Sequence, residues 1–135
     1  MDKIDLMKQT LQSLDVPVKQ QSDLCALTLL AMAGIKPESE FTSATNEWVR
    51  IHDVIVFIKD NYAISYAENS RETFRKQAMH HFRTAAFIED NGKATNSPNY
   101  RYRLTPEFLR VVKNIKEMPD GFVSDLENPA ATQFL

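Results

Sequence analysis

A helix that is apolar on every side can fold only by being surrounded. Residues 22–34, SDLCALTLLAMAG, describe such a helix. Ser22 is a favoured N-cap, and Gly34 stands where a left-handed residue would close the C-terminus. Between them Leu24, Leu27, Leu29 and Leu30 fall on all faces. The stretch predicts a helix over 23–33 at the centre of the core, so the other elements must pack around it. Cys25 lies on this helix. It is read as a buried, inert thiol, because no neighbouring feature would lower its pKa.

The flanking patterns supply those elements. Ile4, Met7, Leu11 and Leu14 recur at helical steps and predict an amphipathic first helix closed near Val16-Pro17. Residues 35–48 carry Pro37, Ser39, Thr42, Ser43 and Asn46. They read as a loop with at most one helical turn, and residues 48–51 as a short strand. A third helix is expected over Asp53 to Asn61, apolar at Val54, Ile55, Phe57 and Ile58. Asn69, with Glu72 at capping-box spacing, is expected to start a fourth. At 100° per residue that helix has two sides. Phe74, Ala78, Phe82 and Ala85 face inward. Thr73, Lys76, Gln77, His80, Arg83 and Thr84 face outward, with Arg71 and Arg75 at the flanks.

Residues 87–89 then read as a strand and residues 90–98 as a turn-rich loop. Residues 100–104 alternate ring or aliphatic side chains with arginine, the pattern of a half-buried strand. Thr105, Pro106 and Glu107 mark the start of a last helix to about Met118. Residues 119–135 show no periodicity and read as a tail or linker, so the domain is placed at 1–118.

Charge is uneven along this order. Residues 69–103 hold seven Lys/Arg against three acids, whereas the chain as a whole has a net charge of −2. A basic segment in a mildly acidic chain points to an anionic partner, of which nucleic acid is the commonest. The 135 residues allow one domain. No apolar run is long enough for a membrane span, and residues 1–11 lack a signal-peptide core. A single cysteine fits the cytoplasm.

Helix, short strand, helix, basic helix, strand, polar loop, strand is the order of a winged helix-turn-helix. The expected fold is therefore mainly α, with a small β-hairpin wing and extra N- and C-terminal helices. The outward residue types suit duplex DNA: Gln pairs with adenine, Arg and Lys with guanine, and Thr offers a hydroxyl and a methyl. Thr73 is expected near the helix N-terminus, where a phosphate is favoured. Lys93, Asn96 and Ser97 of the loop are expected on the backbone or in the minor groove, with Arg101 and Arg103 supporting phosphate contacts.

Several stretches together resemble the N-terminal domain of the BsuBI/PstI type II restriction endonucleases. They are Gln20-Gln21-Ser22, residues 26–31 (ALTLLA), residues 66–77 (YAENSRETFRKQ), His80-His81-Phe82 and Asn96-Ser97-Pro98. The likeness covers roughly residues 16–112. It implies a winged-helix module for target-site recognition, followed by a separate metal-dependent nuclease domain. Arg71, Thr73, Arg75, Lys76, Gln77 and His80 are the matching helix positions. A nuclease of that kind needs an acid, then Glu or Asp one residue from Lys, to hold Mg²⁺. Pro119-Asp120 is followed only by Asp125-Leu126-Glu127-Asn128. The chain is therefore expected to bind DNA without cutting it or holding a metal. It would be either a fragment of such an enzyme or a stand-alone relative. Mg²⁺ is expected for the nuclease domain, and homodimerisation is an expectation for the full-length protein.

Other chemistries are weaker. His80 and His81 point about 100° apart on a helix and do not close a tetrahedral site, and His52 is distant in sequence. No strand-turn-helix elbow frames a serine. The alternative to DNA binding is a protein-interaction or dimerisation module using Ile4, Met7, Leu11 and Leu14, or a stand-alone DNA-binding regulator. An exposed apolar anchor on the basic helix would favour protein docking, and Met79 is the candidate.

Overall fold

The computed structural model describes residues 2–117. The tail or linker expected at 119–135, with its Pro119-Asp120 and Asp125–Asn128 segments, lies outside the described residues.

The all-apolar helix is at the centre. Helix α2 spans Asp23–Ala33, and its residues from Cys25 to Ala33 are all buried. The Ser22 hydroxyl accepts the Cys25 N–H, and Gly34 closes the helix at φ +70°. Burial pushes the Cys25 thiol above its ordinary pKa, consistent with an inert cysteine. A Cβ at position 34 would meet only Thr45 Oγ1, at 3.4 Å, an ordinary contact. The cost of Gly34→Ala is therefore a backbone cost, about 1 kcal/mol. Urea unfolding should show that loss with an unchanged m-value.

Helix α1 (Lys3–Ser13) packs on α2. Its buried residues are Lys3, Leu6, Met7 and Leu11, while Leu14 is exposed. The inward stripe is thus rotated from the expected one. Lys3 can be buried because Nζ reaches Glu117 Oε1 at 2.8 Å and the Pro37 carbonyl at 3.2 Å. Met7 and Leu11 are fully buried, which removes them from any dimerisation stripe.

Helix α3 (Ile51–Tyr62) starts two residues before the expected position. The Asp53 carboxylate accepts the Arg50 N–H, capping the helix at Ile51. The expected strand at 48–51 is correspondingly reduced to one antiparallel bridge, Val49 to Tyr102.

Residues 68–84 form one continuous helical run, α4, of mixed hydrogen bonding. It opens with a 3₁₀ turn (Glu68–Ser70), continues as α-helix (Arg71–Phe74), passes through a π segment (Arg75–Met79) and ends as α-helix (His80–Thr84). The Asn69 capping box is absent. Ala67 is the residue before the 3₁₀ turn, and no side chain caps it. The π segment explains which residues are inside. One inserted residue turns everything after it back by about 100°. Phe82 then returns onto the face of Phe74, Met79 turns inward beside Ala78, and Ala85 turns outward. Phe74, Ala78, Met79 and Phe82 are indeed buried, and Ala85 is exposed. Met79, the candidate docking anchor, is thus a core residue. Within the π segment lies the Gln77 carbonyl. Cys25 Sγ (3.2 Å) and Gln20 Nε2 (3.4 Å) donate to it from the core side.

Strands β1 (Ile88–Asp90) and β2 (Tyr102–Leu104) pair antiparallel, with Ile88 opposite Leu104 and Glu89 opposite Arg103. Helix α5 (Pro106–Lys113) follows, with the Thr105 hydroxyl capping Phe108 N–H. It ends earlier than the expected Met118. The α2, α3, α4 and hairpin order is a winged helix-turn-helix, with α1 and α5 added. Among the described residues no helix is long and apolar enough to cross a membrane.

Candidate nucleic-acid interface

Three outward side chains of α4 are unengaged. Lys76, Gln77 and His80 are exposed, and within the described residues their side chains make no hydrogen bond or ion pair. Thr73 is half-buried beside them. It lies past the 3₁₀ turn, so it is not at the free N–H groups of the helix start. His80 and His81 rings meet edge-on at 5.5 Å. No group of three or more His, Cys, Asp or Glu among the described residues could hold a metal ion. These donors therefore do not fit a Mg²⁺ site.

The arginines around that face are held by acids. Arg71 pairs with Glu68 at 2.9 Å, Arg75 with Glu72, Arg83 with Asp90 at 2.7 Å and Arg103 with Glu89 at 2.7 Å. Arg103 also lies over the Trp48 ring, 4.3 Å from its centroid. The seven cations of the basic segment thus face four carboxylates. Lys76, Lys93 and Arg101 are left without an acid among the described residues. The pairs are solvent-exposed or half-exposed, so each adds little stability and is easily exchanged.

The 91–101 loop is built by its own polar side chains. Asn91 Oδ1 accepts the Arg101 N–H at 3.2 Å, and Asn91 Nδ2 donates to the Asn99 carbonyl at 2.7 Å. Asp90 Oδ1 accepts the N–H of Gly92, which sits at φ +77°. Its other oxygen takes Arg83 and, at 3.3 Å, the Tyr100 hydroxyl. The Arg83 bond holds the Asp90 carboxyl below its ordinary pKa. This link fixes the loop's base to the end of α4. Arg101 folds back to donate to the Pro98 and Tyr100 carbonyls at 2.8 and 3.0 Å, so it braces the loop. Lys93 and Asn96 are exposed at the tip, with Ser97 half-buried.

The sequence reading missed two residues on this side of the molecule. Arg50, at the start of α3, is exposed. His52 is not distant from the basic helix in space: its Nδ1 is 2.9 Å from Glu68. Arg50 sits outside the basic segment, so a charge count along the chain could not find it. Thr73, Lys76, Gln77, His80 and the paired Arg71 and Arg75 lie along α4, and Lys93, Asn96 and Ser97 lie on the neighbouring loop.

The profile of the BsuBI/PstI restriction endonuclease HTH domain matches residues 1–132. The chain belongs to this family. It is 34% identical to the type II restriction enzyme BsuBI of Bacillus subtilis, over 87% of this chain and 39% of that protein. It is 28% identical to the type II restriction enzyme AplI of Arthrospira platensis, over 80% of this chain and 34% of that one. The solved structure of SdaI restriction endonuclease superposes with a TM-score of 0.78 at 26% identity, covering 98% of this chain and 40% of that structure. This member thus spans about two fifths of the length of these relatives.

Proposed function

We propose that this domain recognises a specific double-stranded DNA site on behalf of a type II restriction endonuclease. The observation that carries the reading is the outer face of α4. Lys76, Gln77 and His80 are exposed and unengaged among the described residues, on the helix that buries Phe74, Ala78, Met79 and Phe82. A helix with that division can enter the major groove and present donors and acceptors to base edges. Thr73 extends this face on its N-terminal side, and Arg83, turned back by the π segment and paired with Asp90, would meet DNA on the loop side. Lys93, Asn96 and Ser97 would meet the backbone or the minor groove. Arg103, shared between Glu89 and Trp48, steadies the hairpin beneath them. Cutting, and the Mg²⁺ it uses, would belong to a separate domain of the full-length protein, with residues 119–135 as the connection. That enzyme would act on DNA in the cytoplasm, and its dimerisation is proposed on the same footing.

The test is duplex binding by the purified chain across a salt series. Each neutralised phosphate contributes a slope of about −0.9 in log K against log salt. Three uncompensated cations predict a slope of about −3 or steeper. No binding at low salt, or binding indifferent to salt, ends the proposal. Arg101→Ala should weaken every duplex alike, because it loosens the loop and touches no base. A loss confined to one sequence would move Arg101 into the reading set.

A further inference from the structure

A cleft of about 390 Å³ opens between the start of α3, the first half of α4 and the 91–101 loop. Its walls include Arg50, His52, Arg71, Arg75, Ser97 and Tyr100, and among the described residues no carboxylate lines it. The acids that neutralise these side chains stand outside the lining. Asp53 holds Arg50 at 2.8 Å, Glu68 holds both His52 and Arg71 at 2.9 Å, and Glu72 holds Arg75. The pairing is incomplete: Arg75 Nε is buried with no hydrogen-bond partner among the described residues. Three guanidinium groups around one cleft, each tied by a solvent-exposed pair, are a receptor for an anion with several acceptor oxygens. Arginine forks match phosphate bidentately, and exposed ion pairs cost little to exchange. Ser97 adds a neutral hydroxyl.

We infer that this cleft seats a phosphodiester group of the DNA strand that runs between α4 and the loop, with Arg50, Arg71 and Arg75 exchanging their carboxylate partners for it. The inference rests on the DNA reading above and adds to it a backbone anchor that the base-reading face does not contain. It makes Arg50 a positioning residue. Glu68 and Glu72 become stand-ins for the phosphate, holding the guanidinium groups in place until DNA arrives.

The experiment uses the purified 135-residue chain and two unrelated duplexes, with fluorescence anisotropy over a salt series. Arg50→Gln should lower affinity for both duplexes by the same factor, about 5–10-fold near 0.1 M salt. It should also make the salt slope shallower by about 1, because one phosphate contact is gone. Arg50→Lys keeps the charge and should restore the slope. Arg71→Gln leaves the cap of α3 untouched and should repeat the Arg50→Gln result, which guards against a folding defect at position 50. A wild-type chain that binds duplex while both glutamine variants keep its slope overturns the cleft and leaves the DNA reading standing. A wild-type chain that fails to bind duplex overturns the DNA reading, and this inference with it.

Discussion

Phe74→Ala should cost the domain about 3–5 kcal/mol, the usual loss for emptying a buried phenylalanine site. A small domain has only about 5–15 kcal/mol of stability in total, so most of the margin would go. Phe74 is fully buried and meets Tyr66 edge-on, with ring centroids 5.1 Å apart. It begins the inward face of α4, whose Arg71–Phe74 turn packs against both α2 and α3. The π segment aligns Phe82 with it, so the cavity would open in the middle of the helix's attachment. Thermal or denaturant unfolding measures the loss. Ala85→Gln is the companion variant. A straight α-helix would bury position 85, whereas the observed helix exposes it. That substitution should stay within about 0.5 kcal/mol of wild type. A Phe74→Ala loss below 1 kcal/mol, or a large Ala85→Gln loss, would mean that α4 packs in another register.

That register marks where the sequence stopped being legible. Helix α2 could be read because its signals are local. Ser22 and Gly34 sit at its ends, and no charged residue interrupts it between Leu24 and Ala33. Thr105 and Pro106 announce α5 in the same way. In α4 the deciding signal is not local. Inside the π segment the Gln77 carbonyl accepts from Cys25 and Gln20, more than fifty residues earlier. A 100° wheel cannot contain that information, so it turned Met79 outward and Ala85 inward. The end of α4 falls close to where the strand over 87–89 was expected to begin, but the residue that closes it is unmarked. Ala86 adopts φ +62°, and Phe87 N–H reaches the Phe82 carbonyl at 2.9 Å, the work usually given to glycine. An alanine in that role leaves no mark in the sequence.

Charge was legible as a total but not as a surface. The basic segment does lie on one side of the molecule, on α4 and the adjoining loop. Its arginines, however, are mostly committed to Glu68, Glu72, Glu89 and Asp90, three of which lie inside the same segment. Arg101 is expected to support phosphate contacts, and its guanidinium donates to two carbonyls of the loop. The cleft residues Arg50 and His52 became neighbours of the basic helix only through the packing of α3. The part of the interface that a sequence shows is the outward face of a helix. The part it hides is formed between elements.

Gln77 is where those two kinds of evidence can be separated by one substitution. Its backbone carbonyl is bound from the core, so the helix stays anchored whatever the side chain is. Its side chain is exposed and makes no internal bond among the described residues. Gln77→Ala therefore removes a base-reading group and little else. Alanine is the better helix former, so stability should be unchanged or slightly raised. Binding should respond selectively. A bidentate contact to one base discriminates by about 1–3 kcal/mol, so the target duplex should lose affinity roughly 5- to 150-fold. Unrelated duplexes should be nearly unaffected, because their affinity comes from phosphates. The salt slope should also stay as it is. Paired titrations of target and unrelated duplex at fixed salt read the difference directly. Equal losses on both would make Gln77 a positioning residue, and a fall in melting temperature would show that its side chain serves the fold.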